Sequence, residues 1–109
     1  MPKIHPTAVI GDDCTIGENV EIGAYSIIEG HVKIGNGTKI HPLVHISGNT
    51  DIGNRNIIFQ FCSIGSIPQD LKFKGEENFL KIGDSNVFRE GCTVNPGTEG
   101  GGLVTEIGS

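Results

Sequence analysis

Isoleucine recurs at every sixth position from Ile4 to Ile64, eleven times without a gap, and polar or turn-forming residues fill most of the places between. The register resumes at Ile82, Phe88 and Val94, and once more at Ile107. A helix would need apolar partners three and four residues on, and an ordinary half-buried strand would alternate at two. A period of six fits neither; it predicts short strands separated by turns in a repeating coil.

The other columns assign a task to each position. The residue after the aliphatic one is often glycine, as at Gly11, Gly17, Gly23, Gly35, Gly53, Gly65, Gly83 and Gly108, which suits a crowded backbone or a positive φ. The fifth position carries Ala8, Cys14, Val20, Ser26, Val32, Thr38, Val44, Thr50 and Cys62, small or β-branched side chains that fit beside an isoleucine in a narrow interior. Between these columns lie pairs such as Glu18-Asn19, Asn36-Gly37 and Asn54-Arg55, mostly turn formers. Each hexad therefore reads as one strand and one corner.

This pattern resembles the left-handed parallel β-helix of the hexapeptide acyltransferases, an all-β solenoid with three hexads per triangular coil. The resemblance implies three internal ladders: Ile4, Ile22, Ile40 and Ile58; Ile10, Ile28, Ile46 and Ile64; and Ile16, Ile34 and Ile52. At 109 residues the chain has room for a single domain spanning 1–109, since the repeat leaves no place for a linker.

Composition narrows the function. The net charge is −5 and aromatic residues make up 6%, so the basic stripe and stacking surface that nucleic acid requires are both missing. No apolar run approaches the roughly 20 residues of a membrane-spanning helix. The chain enters its repeat at once from Met1-Pro2-Lys3-Ile4 without a signal-peptide core, so a cytoplasmic location is expected. Cys14, Cys62 and Cys92 all fall in the small inward column and offer no CxxC pair; they read as reduced core thiols. His41 and His45 lie four apart, but on a β-coil that spacing does not bring them to one face. No metal site and no cofactor is therefore expected.

Two stretches break the code, and in a rigid repeat the interruptions carry function. Between Ile64 and Ile82 continued hexads would put Asp70 and Glu76 at buried positions, where unpaired charge is too costly. Residues 66–81 are accordingly expected to leave the coil, returning Ile82 above Ile52. After Val94 a glycine-rich passage, Gly100-Gly101-Gly102-Leu103, precedes Ile107, and a second excursion is expected over 99–106. No helix follows those glycines, so a phosphate-cradling loop fails its context test.

Phe61-Cys62-Ser63-Ile64-Gly65, Gln69-Asp70-Leu71-Lys72 with Gly75-Glu76, Ile82-Gly83-Asp84, Arg89-Glu90, Gly97-Thr98 and the Gly-Gly-Gly-Leu run are together similar to the acyl-carrier-protein-dependent UDP-N-acetylglucosamine O-acyltransferases of lipid A biosynthesis. The similarity extends over essentially the whole chain. It implies transfer of a 3-hydroxyacyl group from acyl carrier protein to the sugar 3-hydroxyl, in a homotrimer with active sites between subunits. It also implies that Asp70 hydrogen-bonds the glucosamine ring with Gln69 and Lys72 beside it, residue types suited to accept from and donate to a sugar nucleotide.

The family's general base is a histidine, a residue whose pKa suits that work, and the resemblance places it beyond residue 109. His5, His31, His41 and His45 all precede the first interruption and do not replace it, so no catalytic residue is assigned within the chain. Asn95-Pro96 stands where many members carry His-Arg, which removes a cation and a backbone donor from that corner. The chain is expected to be the N-terminal piece of a longer enzyme. A self-associating, non-enzymatic β-helix and a coenzyme A-dependent sugar acetyltransferase share the fold and remain as alternatives.

Overall fold

The computed structural model describes residues 2–65 and 79–94 in full and the strand backbone of 104–107. Its strands form three parallel sheets of five strands, the faces of a triangular prism. The first face contains β1 (Lys3–Ile4), β4 (Glu21–Ile22), β7 (Lys39–Ile40), β10 (Ile57–Ile58) and β13 (Val87–Phe88). The second contains β2 (Val9–Ile10), β5 (Ile27–Ile28), β8 (His45–Ile46), β11 (Ser63–Ile64) and β14 (Thr93–Val94). On the third lie β3 (Thr15–Ile16), β6 (His31–Ile34), β9 (Asn49–Ile52), β12 (Phe79–Ile82) and β15 (Val104–Ile107). The chain visits the faces in that order and repeats, as a left-handed parallel β-helix.

Register is kept to the residue. Ile4 pairs with Ile22, Ile22 with Ile40 and Ile40 with Ile58, and the other two ladders run as the period requires. From Ile22 to Ile64 every isoleucine of the series is at most 2% exposed, whereas Ile4 at the open end is 39% exposed. Each enclosed one contributes about 1.5–3 kcal/mol relative to exposure, which holds a thin solenoid together without a globular core.

The turns explain the glycine column differently from one edge to another. Along the edge from the third face to the first, Asn36 Oδ1 accepts from Glu18 N (2.9 Å), Asn54 Oδ1 from Asn36 N (2.8 Å) and Asp84 Oδ1 from Asn54 N (2.7 Å). Gly17, Gly35 and Gly53 lie under those oxygens, where a Cβ would overlap them. Crowding, not φ, selects glycine there. Positive φ falls two residues later, at Asn19, Gly37, Arg55 and Ser85.

The small inward column also holds polar residues. Ser26 Oγ donates to His41 O (2.9 Å) and Thr38 Oγ1 to Gly53 O (2.9 Å). Asn56 is fully buried; its Nδ2 donates to Gly83 O and its Oδ1 accepts from Asn86 N, each at 2.7 Å. These bonds satisfy groups that burial would otherwise leave unpaired.

Candidate functional site at one edge of the prism

Both interruptions fall between a strand of the second face and a strand of the third. Residues 66–78 connect β11 on the second face to β12 on the third, and residues 95–103 connect β14 to β15. Because β11 pairs with β14 and β12 with β15, the two passages arise in adjacent coils. In the coils beneath, the same edge is turned by Gly30 (φ 82°) and Gly48 (φ 75°), and Gly65 (φ 80°) opens the first passage. A Cβ at Gly30 would come within 2.8 Å of Gly48 O, so this edge is drawn tight directly below the place where the chain leaves it.

Both passages end earlier than expected. Phe79, Leu80 and Lys81 belong to β12, paired with Asn49, Thr50 and Asp51, and Ile82 returns above Ile52. Val104 to Glu106 belong to β15. In β12 the pattern runs out, in, out, in, with Leu80 1% exposed. Leu80 pairs with Thr50 and so continues the small inward column that precedes each isoleucine by two.

Gln69, Asp70 and Lys72 lie outside the described residues. Their roots are described. A concave surface of about 390 Å³ lies on the third face next to the edge, lined by His31, Lys33, Asn49, Asp51, Phe79 and Lys81 together with Thr50 and Leu80. Lys33, Asp51 and Lys81 stand in register on three successive strands, an alternation of charge directly beside the point where the first passage rejoins the coil. Opposite charges on neighbouring strands support each other modestly, about 0.2–1 kcal/mol per pair. On the second face, His45 Nε2 approaches Glu29 Oε1 at 3.2 Å.

The histidines are dispersed. His5 Nδ1 lies 2.8 Å from Thr7 Oγ1, His41 stacks on Phe59, His45 meets Glu29 and His31 lines the groove. Among the described residues no three of His, Cys, Asp and Glu gather in a metal-binding group, and no helix is long and apolar enough to cross a membrane. The cysteines are free thiols. Burial raises the Cys62 thiol above its ordinary value, and its Sγ donates to Arg89 O at 3.0 Å.

A solenoid of hexads on three parallel faces defines a hexapeptide-repeat protein, and residues 1–30 match the family model described as bacterial transferase hexapeptide (six repeats). Over its whole length the chain is 48% identical to the acyl-[acyl-carrier-protein]–UDP-N-acetylglucosamine O-acyltransferase of Psychrobacter sp. (strain PRwf-1) and 49% identical to that of Sulfurovum sp. (strain NBC37-1). It superposes on LpxA from Acinetobacter baumannii with a TM-score of 0.91 at 49% identity, over 97% of this chain and 41% of that one. On the UDP-N-acetylglucosamine acyltransferase of Francisella novicida the TM-score is 0.89 at 38% identity, over 96% of this chain and 38% of that one.

Over its whole length the chain is similar to UDP-N-acetylglucosamine O-acyltransferases. It spans about two fifths of the length of the curated relatives it matches, 42% for each of the two cited.

Proposed function

We propose that this chain is part of an acyltransferase that moves a 3-hydroxyacyl group from acyl carrier protein to the 3-hydroxyl of UDP-N-acetylglucosamine, the first step of lipid A biosynthesis. The observation that carries the reading is identity of 48–49% over all 109 residues with proteins of that name. In this reaction a histidine takes the proton of the sugar hydroxyl as its oxygen attacks the thioester carbonyl, and the carrier's thiolate leaves. That role is assigned to none of His5, His31, His41 and His45.

The chain's own share is a rigid stem and one wall of the sugar-nucleotide site. Asp70 accepts from the glucosamine ring, with Gln69 and Lys72 beside it; the strands that flank this passage pair with those that flank the glycine-rich one, which supports the reading. The enzyme works in the cytoplasm as a homotrimer, so that each wall faces a neighbouring subunit.

Calorimetric titration of UDP-N-acetylglucosamine into the 109-residue chain and into its Asp70→Ala variant, with mass from light scattering, tests this. Saturable binding that is lost in the variant is expected, with no acyl transfer by either. Equal binding by both would remove Asp70 from the site. A folded oligomer that binds nothing would instead favour a scaffold role for this segment.

A further inference from the structure

The first face carries a stack of side chains just past its inward ladder, one per coil. His41 lies on Phe59 with ring centroids 4.6 Å apart and planes at 18°, and the Arg89 guanidinium sits 4.7 Å from the Phe59 centroid. One coil below His41 the same position is Gly23, and one coil lower it is His5, each following its isoleucine of the Ile4–Ile22–Ile40 ladder. The stack therefore reads Arg89, Phe59, His41, a gap, and His5.

The gap has the dimensions of a ring. Neighbouring strands lie about 4.8 Å apart, which puts His5 and His41 about 10 Å apart; a planar ring midway would have both imidazoles at about 5 Å, within the separation that aromatic pairs prefer. The protein cannot fill the gap from Gly23, since a Cβ there would meet Pro42 N at 2.5 Å and Pro42 Cδ at 2.7 Å. Both walls are held independently of any ligand, His41 by Phe59 and His5 by Thr7, whose N–H donates to His5 Nδ1 at 3.2 Å. A site with preformed walls loses little freedom on binding.

Charge adds selectivity. Lys3, Glu21 and Lys39 stand in register on the strands just before the gap, two cations to one anion. Together with His5, Gly23, His41 and Pro42 they line one open groove of about 360 Å³.

We infer that this groove binds a planar aromatic ring bearing a phosphate or carboxylate, the ring between His5 and His41 and the anion against Lys3 and Lys39. The first face lies across the prism from the edge where both interruptions leave, so the inference stands on its own geometry and not on the acyltransferase reading.

Adenosine 5′-monophosphate, adenosine and inorganic phosphate, titrated separately into the chain with isotope-labelled histidines, provide the test by NMR. The monophosphate is expected to shift the His5 and His41 ring protons upfield and saturably, leaving His31 and His45 in place. It should bind roughly tenfold more tightly than adenosine or phosphate alone, a difference of about 1.4 kcal/mol. A Lys3→Gln/Lys39→Gln variant, altered only at exposed side chains, should lose that advantage over adenosine, and His41→Ala should lose the His5 shift. The inference is overturned by no saturation into the millimolar range, by equal shifts from phosphate alone, by movement of all four histidines together, or by unchanged affinity in the double-lysine variant.

Discussion

Asn56 occupies a column otherwise given to small or β-branched side chains, and nothing in the period announces it. Its amide joins Gly83 O to Asn86 N across a coil boundary, so what a six-residue pattern reads as an exception is a buried side chain hydrogen-bonded through both ends of its amide. Cys62 is legible where Asn56 is not, because a thiol behaves as a small apolar group. Its raised pKa, caused first by desolvation, carries a prediction. Above about pH 8.5 the unfolded chain releases the thiol proton while the folded chain keeps it, so the folded state binds more protons and stability falls as pH rises. Below that range the contribution is constant. Denaturant midpoints measured between neutral and alkaline pH should fall more steeply for the natural chain than for Cys62→Val. Parallel slopes would show that the thiol is not protected by burial.

At the level of elements, ladders and corners could be placed from the isoleucine period alone, because a one-residue slip would turn a buried column outward. Strand lengths could not. The four-residue strands β6 and β9 on the third face follow turns whose positive φ comes two residues after the isoleucine, at Gly30 and Gly48, and not three as at Gly37 and Leu43, and β12 and β15 have the same length, which moved the C-terminal end of each interruption inward. Nor could the reason for each glycine be read from its column. Gly53 lies under Asp84 and Gly83, whose carbonyl oxygen and carbon would be 2.8 and 2.9 Å from an added Cβ, while a Cβ at Gly91 would meet nothing within 4 Å. Gly53→Ala should therefore cost about 1–3 kcal/mol from overpacking against backbone, and more if the Asp84 bond to Asn54 N is lost. Gly91→Ala, strained only by its φ of 77°, should cost about 1–2 kcal/mol. Urea unfolding of the two variants measures both costs; a Gly53 variant as stable as the natural chain would refute the crowding explanation.

Across the whole molecule, 38 × 28 × 25 Å in extent, each coil touches only its neighbours, so stability is a sum of coil and interface contributions and not the property of one centre. Local opening should follow that arithmetic. The amides of Lys39 and His45, bonded to Asn56 O and Cys62 O, have coils above and below; those of Lys3 and Val9, bonded to Val20 O and Ser26 O, have a coil on one side. Hydrogen exchange should be slower at Lys39 and His45 than at Lys3 and Val9 despite bonds of similar length. Uniform exchange would mean that the prism opens as one unit. The candidate site was legible as an address and not as a geometry: its residue types stood out because they violate the period, but only the pairing of β11 with β14 and β12 with β15 put two distant segments on one edge.

That pairing has a consequence for how such a chain can change. In-register stacking gives the fold a reading frame, in which a single residue inserted within a hexad would turn every later isoleucine toward water. The edge between the second and third faces is where this chain has twice suspended the frame and then recovered it, Ile82 returning above Ile52 and Ile107 above Ile82. Segments of new length and chemistry can be accepted there without renumbering the core, which leaves recognition free to diverge on one edge while the other two edges keep the frame.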